Sequence, residues 1–464
     1  MGPLEKYAPR RSAGAVMIVS MIILLVISSL AVSIAAMSGS NLQLASNQHK
    51  ANHARACAES GFDIIRYWLS RVSVSGSSDP EIRLYYIAES LYDELTDEDI
   101  SNMTLSYENS CISIPEVILD SNTGDCFSAS ITLPDSENLQ VIVTGRSGLM
   151  TKTISAQYTF DIEGHPIFNY GVATKGPLAL SGNIELDGIN VSVEASVFIE
   201  SESSNLALSI IGNSKIAGDV SIVNPMANVY LQGGQAGIGG ETGDDAVDNH
   251  VSFGVPQVDF PEPDPGYFEQ FVVSEIDCNT NTSVDATYEN VRIKANTNPT
   301  FSAQTTLNGV VFVETPNVVQ FLGGADITGI VVGDGDITDN SGDNQLIFSG
   351  NVESHLVSEL PEETQFEEIR DLTETFIIAP GFNLSFSGNF TTLSGAIAGN
   401  GIEFSGNAGG VINGTIINYS GDEMTLSGNS DLFFNHSGVS EAPAGFVPQL
   451  VMTYNPASYT EVMD

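Results

Sequence analysis

From Ser12 to Gln48 the chain has no Asp, Glu, Lys, Arg or His, and its most apolar stretch runs from Ala13 to Met37. This run limits the fold more than any other feature, because roughly 20 consecutive apolar residues are enough to cross a bilayer as a helix. A secretory signal has an apolar core of only about 7–15 residues followed by a small-residue cleavage site, and this run is longer. Lys6, Arg10 and Arg11 precede it, and no comparable basic cluster follows it. The positive-inside rule then predicts a cytoplasmic N-terminus with everything after about residue 40 outside the membrane.

The helix is expected to continue beyond the bilayer. Ala54, Ala58, Gly61, Ile65, Trp68 and Val72 recur at spacings of four and three, so they share one helical face. Arg55, Glu59, Asp63, Arg66 and Arg71 fall on the other faces, and no proline interrupts the stretch between Pro9 and Pro80. A single helix over 15–75 is predicted, roughly 87 Å long from Ala15 to Val72 at about 1.5 Å per residue. Its first part, about 13–37, is the membrane span.

Charge divides the chain at the same place. Residues 1–71 hold seven Lys/Arg and three acids, whereas the remainder carries most of the formal charge of −43. So acidic a surface repels nucleic acid, whose recognition rests on cationic patches that release counterions. No nucleic-acid partner is expected.

A basic leader ending Arg10-Arg11-Ser12-Ala13-Gly14, the long apolar helix, and the Ala-Arg-Ala-Cys-Ala-Glu-Ser-Gly-Phe-Asp stretch over 54–63 resemble PilX-type minor pilins; type K pseudopilins share this plan. The resemblance covers about residues 10–72. It implies that a prepilin peptidase cuts after Gly14, making Ala15 the mature N-terminus and residues 1–14 a leader. It also implies partnership with the membrane and with other pilin-like subunits through the helix. Major pilins carry a glutamate as fifth residue after the cut, where this chain has Val19. PilX-like and K-type members also tend to lack it, so the departure points to a minor or tip subunit.

Gly76–Pro80 is a turn cluster that should end the long helix. Leu84, Ile87, Leu91 and Leu95 predict a second helix, and 103–107, 111–119, 126–133, 139–144 and 150–162 have strand character. Together they predict a small α+β head over 80–165. From about 170 the texture changes. Ser-Gly-Asn occurs at 181–183, 349–351, 387–389, 405–407 and 427–429, with Ile-Gly-Asn at 211–213 and Ala-Gly-Asn at 398–400. The later triplets start 38, 18 and 22 residues apart, which suggests a coil of about 18–22 residues and a solenoid over 170–440. The expected form is a right-handed parallel β-helix, with an irregular β-sandwich as the alternative. Residues 233–266 and 355–375 read as exposed inserts, and 441–464 as a C-terminal tail. The overall class is α+β, mainly β after the head.

Candidate chemistry is thin. His49 and His53 are four apart on the helix, but Lys50 stands where an HExxH site has its glutamate. Asp334, Asp336 and Asp339 loosely resemble a calcium loop, without its turn glycine or closing glutamate. No nucleophile elbow, Walker loop or dinucleotide fingerprint sits in a strand-to-helix setting. Arg292 and Lys294 are the only close basic pair in 170–440, a scarcity that counts against a lyase or hydrolase of anionic polysaccharide. Cys111 and Cys126 flank a turn and are candidates for one disulfide, or for two free thiols. The sequon Asn389-Phe-Thr391 leaves glycosylation open. No catalytic residue, metal ligand or cofactor is assigned. A non-enzymatic minor pilin-like protein leads; a membrane-tethered adhesin outside any filament and an envelope-tethered polysaccharide enzyme are the alternatives.

Overall fold

The computed structural model describes residues 13–72, 74–75, 82–97, 100, 102–201, 206–339, 341–437 and 443–462. The basic leader with Lys6, Arg10 and Arg11 and the turn cluster at 76–80 lie outside the described residues. The chain forms two compact units: Met1–Val74, Ser78–Asp161 and Leu450–Asp464 make the first, the head, and Ser75–Ser77 with Ile162–Gln449 the second.

The head is built on helix α1 (Ala13–Leu69), 57 residues without a break. All six positions predicted to share a face are buried, and Arg55, Glu59, Asp63, Arg66 and Arg71 are exposed. Helix α2 (Arg83–Asp97) buries Leu84, Ile87, Leu91 and Leu95 as their spacing requires. Four long strands follow in antiparallel order: Cys111–Asp120, Asp125–Thr132, Asn138–Ser147 and Met150–Glu163. Burial alternates along Asn138–Ser147, so one face of the sheet meets the helices. At Gly145 the approach is closest: a Cβ there would run into the Ala54 carbonyl and the Ala58 amide nitrogen of α1.

The sheet is completed from far along the chain. Residues 441–464, expected as a tail, carry the strand Gln449–Val462, which lies between Met150–Glu163 and the two-residue strand Val74–Ser75. Its partners are some 300 residues away, as in the hydrogen bond from Gln157 N–H to Ser458 Oγ (2.8 Å, 301 residues apart). No local pattern announces such a pairing. The second unit is therefore an insertion between two neighbouring strands of the head.

In the second unit the described residues form sheets of twelve, nine and seven strands. The pairings within them are parallel except for Gly237–Ile238 with Glu241–Thr242. The chain visits the sheets in turn: Val172–Thr174, Leu178–Gly182 and Glu185–Gly188, then Val197–Ile199, Leu206–Gly212 and Lys215–Ile216. The last turn (Ile416–Asn418, Met424–Gly428, Leu432–Phe434) pairs back onto the first, with Ile416 opposite Val172, Met424 opposite Leu178 and Leu432 opposite Leu186. The stack thus begins in its own middle. It grows to Val251–Phe253 at one end, resumes at Ser274–Ile276 at the other, and returns to meet its start.

Two apolar layers hold this unit. Inside, Phe301, Phe321, Phe348, Phe386 and Phe404 stack with centroids 4.8–5.0 Å apart and planes within 6–8°. That spacing is the separation of neighbouring strands, so in-register phenylalanines are brought into ring contact by the backbone. Leu426, Leu180 and Ile210 continue the row. Outside the twelve-stranded sheet lies a second cluster containing Phe268, Phe271, Val357, Leu360, Phe366 and Ile369. The two expected inserts behave differently from exposed loops. Segment 233–266 supplies three short strands and helix α3 (Asp244–His250) to the stack before crossing over it, and 355–375 makes three short 3-10 turns whose apolar residues cover the sheet. Both inserts read as polar because Gly, Asp, Glu and Pro outnumber the few anchors that do the covering.

The triplets mark a corner. Asn213 donates to Asn183, Asn183 to Asn429 and Asn429 to Asn407, over 2.8, 2.7 and 3.4 Å. Gly182 and Gly428 turn there at φ of 120° and 91°, which favours glycine. Ala398–Asn400 does not belong to this corner; Ala398 and Gly399 sit in a buried strand of the twelve-stranded sheet. Nor is the coil a uniform 18–22 residues. Corner partners are 22 residues apart at Asn407–Asn429, 30 at Asn183–Asn213 and 38 at Ser349–Ser387, because the other corners carry loops of different length.

Candidate functional site: the N-terminal helix

Side chains from Val16 to Lys50 on α1 are exposed. They include Val16–Val19, Met21–Ile27, Leu30, Val32, Ile34 and Met37, more than half exposed each. So long an apolar surface marks a contact with membrane or with other protein, and the helix is long and apolar enough to cross a membrane, with a mean hydropathy of 2.7 over its most apolar stretch. Ser20 and Ser29 return their hydroxyls to the Met17 and Val26 carbonyls at 2.9 Å, which satisfies both within the helix. Gly14 and Ala15 lie in the first turn of α1, and their side-chain surroundings are outside the described residues.

Where α1 meets the sheet, its polar residues are engaged structurally. His49 and His53 meet edge to face at 4.5 Å, and His53 Nδ1 lies 3.4 Å from Asp125 Oδ2. Hydrogen bonding from Ser147, then from Thr123 and His53, holds the Asp125 carboxyl below its usual range despite its burial. Among the described residues no group of three His, Cys, Asp or Glu is placed to hold a metal ion.

The thiols are free. Cys111 pairs with Thr132 at one end of the hairpin, whereas Cys126 pairs with Ile118 near the other. At about 3.3 Å per residue their backbones lie roughly 20 Å apart, beyond the 4.4–6.8 Å a disulfide spans. Sequence proximity across a turn misled because the strands between them are long. Burial pushes the Cys57 and Cys126 thiols up.

The other candidates are also accounted for. Arg292 binds Glu314 (2.9 Å) and Glu269 (3.6 Å) and lies over the Phe312 ring, and Lys294 binds Glu275 (2.9 Å). Neither is left to receive an anionic sugar. Asp336 and Asp339 accept from Thr338 and Ser341 within their own turns, as acidic turn residues do. Asp334 is exposed at the end of a strand, where partial desolvation and the neighbouring Glu269 and Glu314 carboxylates raise its carboxyl. Glu194 is a buried acid that sequence reasoning missed. Burial works to raise it, and hydrogen bonds from Asn190, His436 and Val191 outweigh this and hold it low. Its bonds to Asn190 and Val191 fix the corner at 190–194.

Residues 13–63 match the family model described as PilX N-terminal. The match begins at the first residue of α1 and ends at Asp63, within the stretch whose Ala54, Ala58 and Gly61 are buried against the head sheet, so it spans the bare apolar length and the start of the head-bearing part. No curated protein matches the chain. Among solved structures, the crystal structure of the competence-associated pilin ComZ from Thermus thermophilus aligns over 89% of this chain and 98% of its own at 12% identity. Its TM-score is 0.23.

Proposed function

We propose that this chain is a non-enzymatic minor pilin-like protein of PilX type, serving a type IV pilus or a related assembly machine. The observation that carries it is the coincidence of the PilX N-terminal match at 13–63 with one helix that is bare and apolar at one end and head-bearing at the other. Lys6, Arg10 and Arg11 ahead of the helix favour a cytoplasmic N-terminus, with the head and second unit periplasmic or extracellular. A prepilin peptidase removes residues 1–14 after Gly14 and leaves Ala15 as the new N-terminus. The exposed apolar length then packs among other pilin-like helices, where alanine, glycine and serine permit close approach. Val19, standing where a fibre-building subunit carries glutamate, suits a subunit present in few copies.

The second unit is displayed as a right-handed parallel β-helix. Support comes from strands that visit three parallel sheets in turn, since crossovers between parallel strands are right-handed in about 98% of cases. Labelling of Cys278, an exposed cysteine of the second unit, tests the topology. In a Cys111→Ala background, a membrane-impermeant maleimide should label it in intact spheroplasts. Labelling only after lysis would place the unit in the cytoplasm and sink the reading.

A further inference from the structure

The strand Gln449–Val462 closes the head, and an unusual share of the chain's scarce positive charge is spent on it. The sequence has 15 Lys and Arg, and among the described residues three of them face this strand. Lys152 Nζ lies 2.7 Å from Glu461 Oε1, Arg55 Nη1 lies 4.0 Å from Glu461 Oε2, and the Arg66 guanidinium lies 5.2 Å over the Tyr454 ring. Aromatic contacts add to this. Tyr454 meets Phe62 at 5.4 Å and Tyr158 at 5.6 Å, and Tyr459 meets Phe62 at 6.5 Å. Residues five apart on a regular strand point to opposite faces. Here Asn455 accepts from the Ala457 N–H, and Ser458 Oγ donates to the Asn455 carbonyl, a local irregularity within the strand, and both tyrosines meet Phe62. On the strand's other edge the described residues place the two-residue strand Val74–Ser75, and its larger contacts with the head are made to α1 and Met150–Glu163.

We propose that the groove between α1 and the Met150–Glu163 strand is a strand-acceptor site. It recognises an extended segment with two tyrosines on one face and a carboxylate near its end, and its occupant is the C-terminus of this chain. Basic side chains on the groove and an acid on the strand give the pairing its register, while Phe62 and Tyr158 provide the apolar floor. Because the second unit intervenes in sequence, the groove is filled last. On the topology proposed above, the head is then completed only after the whole second unit has crossed the membrane, so a truncated or stalled export product presents an open groove.

The test uses the full chain with a protease site inserted between Val439 and Ser440. The folded protein is cut, the freed strand is removed by size exclusion in mild denaturant, and a labelled peptide of residues 449–464 is added. The expected result is that the depleted head loses hydrogen-exchange protection over 54–69 and 139–158 and regains it with the peptide. Lys152→Glu should weaken peptide retention about tenfold, and a peptide carrying Glu461→Lys should recover most of that loss. Unchanged protection in the depleted head would overturn the proposal, as would failure of the peptide to bind or of the reversed pair to recover. In the uncut chain, Lys152→Glu and the Lys152→Glu/Glu461→Lys pair report the same coupling through protection alone, independently of membrane topology.

Discussion

The head sheet turns one face to its helices and the other to solvent, whereas the twelve-stranded sheet of the second unit is covered on both faces. In the head this gives alternation, as along Asn138–Ser147. In the second unit it gives uninterrupted burial, as along Thr375–Ala379, where all five residues are buried. The contrast teaches where each unit is vulnerable: the head has a tolerant side, and the twelve-stranded sheet does not.

Substitution on the outer faces sharpens the contrast most. Ile417→Asp places an unpaired charge in the outer layer of the twelve-stranded sheet and should cost roughly 5 kcal/mol or more. Ser128→Asp, on the solvent side of the head sheet, should stay within about 0.5 kcal/mol. Chemical denaturation of both variants decides it, and equal costs would break the comparison. Next comes the inner row: Phe348→Ala should destabilise the second unit by about 4 kcal/mol, since it removes a ring stacked on both sides.

A pH scan gives the third effect. Burial drives the His165 imidazole down to about 4, below the value near 6.5 it has in an unfolded chain. The unfolded state therefore binds more protons between these values. The contribution of His165 is complete above about pH 6.5 and lost as pH falls toward 4, by about 3 kcal/mol in total. His165→Phe should flatten that part of the stability profile of the second unit and leave the head's unchanged. The smallest effect is expected at the junction of first and last turns. Asn183→Ala breaks its exposed bonds to Asn213 and Asn429 and should cost about 0.5–1 kcal/mol by thermal unfolding.

Legibility in the sequence followed the range of the interactions. Helix α1, its buried face at Ala54 through Val72, helix α2 and the four head strands were readable because their periods are local. The glycine corners were readable because a positive φ leaves its mark on residue type. What escaped depends on pairings across the chain: the return of Gln449–Val462 to the head, and the meeting of Ile416 with Val172 that puts the start of the stack at its middle. The covering role of 355–375 escaped because four apolar anchors are diluted among acids. For the anchor itself, the exposed apolar helix was legible from Ser12–Gln48, and the PilX-type match at 13–63 agrees with the resemblance at 10–72.

The most direct test of the pilin-like account is the mass of the mature N-terminus of protein extracted from its native membrane. The account predicts a chain that begins at Ala15, cut after Gly14 by a prepilin peptidase. A chain that begins at Met1 or Gly2 would contradict it and leave a tethered surface protein in its place.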